Sequence, residues 1–239
     1  MTKLSELAIE AHGGLQRWNQ FEQVAADLQQ GGVLWSLKGE PETLQQTTVT
    51  VGLRQEWASH SPFGAERRRS RFEPGRVALE AADGTVLDEL RDPRSSFAGH
   101  TLQTPWTDLQ LAYFAGCAMW TYLNTPFVLA WPGVEAEELE PVRTNDGLWR
   151  RLAVRFPNDI ATHSAVQTLY FDADGLLKRH DYDVEIAGNT PGAHLIDGYV
   201  EVSGIRFPTK RRIYARQPDG SFSTEPLVVS IDLSNIRLS

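Results

Sequence analysis

The stretch TPWTDLQLAYFAGCAMWTYLNTPF, residues 104–127, constrains the fold of this chain most. Its spacing predicts a helix, with Thr104 as N-cap and Pro105 at the first helical position. It should stop before Pro126, because a proline pushes the preceding residue out of helical geometry. Apolar side chains from Leu109 to Leu123 run nearly all the way round it. A helix of that kind in a soluble protein is enclosed on most sides. Gln110, Gly116 and Thr121 interrupt the stretch and argue against a membrane span. The remaining residues therefore have to wrap this helix.

Those residues are written mostly in the two-residue period of strands. In TTVTVGLRQEW, Val49, Val51, Leu53 and Trp57 fall on one side. VALEAADGTVLDEL reads as a hairpin turning at Asp83-Gly84. WRRLAVRFP alternates through Leu152, Val154 and Phe156, and PLVVSIDLSNIRL closes the chain as a further strand. A short helix precedes them, with Leu4, Leu7, Ala8 and Ala11 on one face and Gly13-Gly14 at its end. The expected fold is mainly β (α+β): a curved antiparallel half-barrel wrapped around one enclosed helix, plus a short N-terminal helix. No repeat or linker divides the chain, so residues 1–239 are read as one domain.

Composition narrows the partners. The chain carries 23 basic and 31 acidic residues, a net charge of −8. That disfavours a nucleic-acid backbone or an anionic membrane surface, both of which call for basic patches. Cys117 is the one cysteine, so no internal disulfide can form, and its apolar surroundings read as core. The basic run Arg67, Arg69 and Arg71 in GAERRRSRFEPG reads as a solvated strand face. MTKLSELAIEAHGG has no apolar signal core, which gives a cytoplasmic location as the expectation.

Two late hairpins carry the candidate chemistry. If Asp172–Gly175 form a four-residue turn, Phe171 faces Leu176, Gln167 faces His180, Ala165 faces Tyr182 and His163 faces Val184. One face then holds His163, Gln167, His180 and Tyr182 among apolar residues. Thr168, Tyr170, Arg179, Asp181 and Asp183 share the solvated face. A turn one residue different would flip the faces. In the second hairpin a tight turn at Ser203-Gly204 pairs Val202 with Ile205, Val200 with Phe207, Ile196 with Arg211 and His194 with Ile213. Its inner face is apolar apart from His194, Thr209 and Arg211. Tyr199 and Tyr214 fall on the solvated side, and Pro208 implies an edge or a bulge. A buried Arg211 needs a carboxylate, a string of carbonyls or an anionic ligand.

These residues suit acid/base work: His163 or His180 as general acid or base and Tyr182 as proton donor. Gln167 and His194 would position them, and Arg211 would hold a carboxylate or oxyanion. Trp120 and Tyr122 on the enclosed helix, with Trp106, are candidates to line a pocket opposite the sheet. The spacing of the three histidines matches no metal-ligand motif, so no metal is assigned. Core histidines tied to neighbours remain the plain structural alternative.

AHGGLQRW after a short helix, followed by LYFDADGLLKRHDY and VSGIRFPTKRRIY, resembles the bacterial lipoprotein-carrier superfamily. That superfamily includes periplasmic outer-membrane lipoprotein carriers, a mycobacterial lipoprotein and the cofactor-free enzyme of violacein biosynthesis. The chain as a whole is also similar to a set of bacterial proteins with no assigned activity. The resemblance implies an unclosed half-barrel plugged by helices around an apolar cavity. Two functions follow as expectations. One is a cofactor-free biosynthetic enzyme performing cyclisation, isomerisation or lyase chemistry on an aromatic or lipophilic molecule, with a carboxylate as an optional group. The other is a non-catalytic cytoplasmic carrier of a hydrophobic small molecule or lipid. Apart from the resemblance, a structural or interaction protein with a filled core is the plain alternative.

Overall fold

The computed structural model describes residues 1–64 and 67–239. Ala65 and Glu66 of the basic stretch lie outside the described residues. Strands β1 (Gln23–Gly31), β2 (Gln46–Gly52), β3 (Ala58–Ser61), β4 (Arg68–Glu73), β5 (Arg76–Ala81) and β6 (Val86–Arg91) step outward to one edge of a sheet. From the opposite edge, β7 (Glu135–Thr144), β8 (Gly147–Arg155), β9 (Val166–Phe171) and β10 (Leu177–Val184) step back. Then β11 (Thr190–Val202), β12 (Ile205–Ala215) and β13 (Val229–Leu238) bring the chain to β1. Neighbouring strands pair antiparallel, and the edges β6 and β7 do not meet. The sheet is therefore an unclosed, curved half-barrel.

The helices are α1 (Lys3–Ala11), the single turns α2 (Leu15–Trp18) and α3 (Leu34–Leu37), and α4 (Asp108–Asn124). The long one, α4, belongs to the crossover between the two edges. Every residue from Gln110 to Asn124 in it is buried, which explains the apolar groups on all its sides. Its packing against the first half of the sheet is close: a Cβ on Gly116 would lie 2.4 Å from Cβ of Phe72. Only glycine allows the helix this near β4.

The start of α4 differs from the sequence expectation. Thr107, not Thr104, is the N-cap. Its hydroxyl accepts from the Gln110 N–H at 3.3 Å, and Gln110 Oε1 accepts from the Thr107 N–H at 3.1 Å. This capping box satisfies two donors at once, whereas the Thr104 hydroxyl accepts from the Thr101 N–H inside the preceding loop. The helix ends before Pro126 as expected. Trp57 also departs from expectation. β2 stops at Gly52, and Trp57 sits half-buried beneath the Arg71 guanidinium. Of the basic run, Arg69 pairs with Glu80 and Arg71 with Glu73.

The HGG at the end of α1 has a packing reason. At Gly13, φ is 121° and a Cβ would lie 2.3 Å from the Gly204 carbonyl oxygen. The end of α1 thus docks on the tip of the β11–β12 hairpin, and Arg17 Nε donates to the Ser203 carbonyl at 2.6 Å.

Candidate functional site

The β11–β12 hairpin keeps the register that its two-residue turn dictates. Val202 faces Ile205, Val200 faces Phe207, Ile196 faces Arg211 and His194 faces Ile213. Pro208 falls where β12 has only β11 beside it, since its pairing with β13 begins at Lys210. Tyr199 is half-buried rather than solvated: His12 at the end of α1 lies edge-on against its ring, and its hydroxyl donates to the Leu177 carbonyl at 2.7 Å.

The β9–β10 hairpin reaches the expected faces by another route. Its loop has five residues, because Phe171 pairs with Leu177 rather than Leu176. Asp172 Oδ1 accepts from the backbone N–H groups of Asp174 and Leu176, which holds the longer loop. That one-residue slip alone would turn every side chain over. A bulge between Leu177 and Arg179 adds a second slip, so His180 faces Leu169 instead of Gln167. Two slips restore the parity, and His180 and Tyr182 point inward. Three details differ from expectation. Ala165 is exposed, and His163 sits in the loop before β9. On the outer face Tyr170 and Asp181 are buried, because Arg179 bridges Asp181 to the Gly220 carbonyl.

These elements bring seven of the eight candidate residues together. On α4, Tyr122 Oη lies 2.5 Å from Tyr182 Oη on β10 and 3.2 Å from His163 Nε2. On β9, Gln167 Nε2 donates to the Ser164 carbonyl, which leaves Oε1 to accept from His180 Nε2 at 2.5 Å. Arg211 on β12 donates to the Tyr122 carbonyl at 2.9 Å and stands 5.1 Å over the Tyr122 ring. Its Nη1 lies 3.5 Å from His194 Nε2 on β11, which must be the unprotonated nitrogen because guanidinium only donates. The eighth candidate, Trp120, is elsewhere: it faces the first half of the sheet and donates to the Gly52 carbonyl.

Burial sets the charges. The His163 ring is held down to about 3, and His180 and His194 sit well below the usual imidazole range, with the Arg211 cation adding to the burial effect. Burial raises both tyrosine hydroxyls well above their usual value. Arg211 is lowered to about 10 by burial and stays protonated at neutral pH. The cluster thus holds neutral rings and hydroxyls around one cation, and no carboxylate of the described residues pairs with it. Arg211 Nε and Nδ1 of His163, His180 and His194 have no hydrogen-bond partner.

The cluster borders an apolar cavity of about 100 Å³ between α4 and strands β10–β13. Trp35, Trp106, Phe114, Met119, Ile213 and Ile231 are among its walls, and Leu102 and Pro191 also border it. Tyr122 and Tyr182 line it too, and His163, His180, His194, Gln167 and Arg211 do not. The tyrosine pair is thus the wall shared by cavity and cluster. The sequence reading missed Ala115, Ala118 and Met119, although with Tyr122 they follow the i, i+3, i+4, i+7 spacing of one helix face. It also missed Trp35 on α3. Cys117 is core, donating to the Ala161 carbonyl at 3.1 Å, with its thiol raised by burial. Among the described residues no group of three or more histidine, cysteine, aspartate or glutamate side chains is arranged to hold a metal ion.

No family model matches the chain, and no curated protein matches it. Solved structures do. A DUF1329 family protein from Desulfovibrio piger is 13% identical with a TM-score of 0.56, over 99% of this chain and 92% of that one. An outer membrane lipoprotein-sorting protein domain from Vibrio parahaemolyticus is 11% identical with a TM-score of 0.54, over 99% and 91%. A LolA superfamily protein from Nitrosomonas europaea is 10% identical with a TM-score of 0.53, over 98% and 92%. The chain has a lipoprotein-carrier-like fold.

Proposed function

We propose that this protein binds a hydrophobic or aromatic small molecule in the cavity beneath α4 and carries it without changing it. The observation that carries this reading is the character of the lining: aromatic and aliphatic side chains, among them Tyr122 and Tyr182, whose hydroxyls pair with each other. Apolar pockets with a few convergent polar groups are the usual form of small-molecule sites. The fold shared with a lipoprotein-sorting domain supports the same reading. Trp35 and Trp106 in the wall give a direct test. Titration with 10-bromodecanol should quench tryptophan emission saturably, and Ala118→Leu, which fills the cavity, should weaken the effect at least tenfold. Quenching that is linear and the same in both proteins would refute the reading.

A second reading is favoured by one further observation, the chain of contacts from Tyr182 through Tyr122 to His163. In an enzyme without cofactor, Tyr182 would exchange a proton with the substrate and Tyr122 would relay it to His163. His180 would brace Gln167, and Arg211 would steady a developing negative charge. Cyclisation, isomerisation and lyase steps all fit such proton traffic. A carrier returns its ligand unaltered, whereas the enzyme yields a product of altered structure that Tyr182→Phe no longer forms.

A further inference from the structure

Arg211 poses a problem that the rest of the fold leaves open. Its side chain is 1% exposed, yet it has one carbonyl, one long contact to His194 and the face of a tyrosine as its partners. A guanidinium carries five N–H donors, and a buried charge without a counter-charge costs several kcal/mol. Asp181, the carboxylate on the neighbouring part of β10, points to the outer face and is taken by Arg179 and Tyr170. The surrounding rings are neutral, so nothing in the cluster balances the cation.

The cation is separated from the cavity by Tyr122. Tyr122 touches both sides: its carbonyl and ring meet Arg211, and the residue lines the cavity beside Tyr182. The hydroxyl pair also has directional capacity to spare. If Tyr122 donates to His163 Nε2, the Tyr182 proton is free to turn from Tyr122 to a ligand. Phenolic donors backed by a fixed positive charge across a ring favour a negatively charged acceptor over a neutral one, and the low-dielectric walls strengthen that preference.

We propose that the ligand is a hydrophobic acid, with a carboxylate beside the tyrosine pair that accepts from the Tyr182 hydroxyl and offsets the charge of Arg211. This deepens the binding reading above and rests on it. No bond is made or broken; the ligand enters already ionised.

The test compares decanoate, decanol and methyl decanoate by calorimetric titration of the full chain at pH 7.5. Decanoate should bind at least tenfold more tightly than either neutral molecule. Arg211→Met should abolish that preference, so that decanoate and decanol bind that variant equally. Tyr182→Phe, a one-atom deletion that removes a donor from a buried site, gives the same comparison should the arginine variant fold poorly; the preference should then fall at least threefold. Equal affinity for acid and alcohol in the wild-type protein, or a preference that survives Arg211→Met, would overturn the head-group assignment and leave the cavity reading standing. If none of the three molecules binds, the cavity reading itself fails and takes this inference with it.

Discussion

Among the described residues two cations are buried, and they are buried differently. Lys38 follows α3 and is 0% exposed; Arg211 on β12 is 1% exposed. Each lies over an aromatic ring, Lys38 at 4.3 Å from Trp106 and Arg211 at 5.1 Å from Tyr122. The Lys38 ammonium has three donors and three carbonyl acceptors, Thr101, Leu102 and Thr104, at 3.3, 2.7 and 3.0 Å. Its own carbonyl accepts from the Trp106 N–H at 3.0 Å. Lys38 is a finished clasp that ties the loop before α4, with the cavity residues Leu102 and Trp106, to α3. Arg211 is unfinished. On the proposed reading, the cation left short of acceptors is the one whose charge a bound ligand offsets.

Acid should separate the regions most. Five histidines are depressed by burial: His12 and His60 to about 4, His163 to about 3, and His180 and His194 well below the usual range. Unfolding frees each ring to take a proton below its ordinary value of about 6.5 that the folded protein refuses. Their contribution to stability is therefore present above pH 6.5 and is lost as pH falls through the folded values. Each ring gives up to about 1.4 kcal/mol per pH unit. Glu56, raised to about 8 by burial, runs the other way: its contribution is full below about 4.5 and is lost as pH rises through 8. Five groups outweigh one. Urea unfolding should show several kcal/mol lost between pH 6.5 and 4, and a flat profile there would mean the rings are not buried neutral.

Removing each cation is the next contrast. Lys38→Met leaves three carbonyls without their donor and should cost about 3 kcal/mol in urea unfolding at pH 7.5. Arg211→Met removes a buried charge with no counter-ion and should change stability by less than about 1 kcal/mol, or raise it. The reverse ranking would show that Arg211 is the structural cation.

The fold was legible where local chemistry fixes geometry. The Ser203-Gly204 turn is two residues long, so the whole β11–β12 register followed from the sequence. The β9–β10 register did not, because Asp172 lengthens the loop by side-chain bonds and the bulge near Lys178 has no sequence mark. The inward set survived only because two slips cancel. The cluster was legible for the same reason, through alternation. Its separation from the cavity was not, since that depends on which side of α4 meets the second half of the sheet, and a helix apolar all round does not say. The misplacement of Trp120 has this origin. The Lys38 clasp was invisible because its acceptors are backbone carbonyls more than sixty residues away, in a loop with no pattern.

The chain contains two methionines, which allows the central claim to be tested at one atom. Met119 lies in the cavity wall and is 1% exposed, while Met1 is 70% exposed. With ¹³C-methyl methionine, the spectrum should show two resolved signals. Adding decanoate should shift the Met119 methyl and give nuclear Overhauser contacts from it to the alkyl chain, with Met1 unmoved. A Met119 signal that stays in place at decanoate concentrations where binding is complete would contradict a ligand site beneath α4.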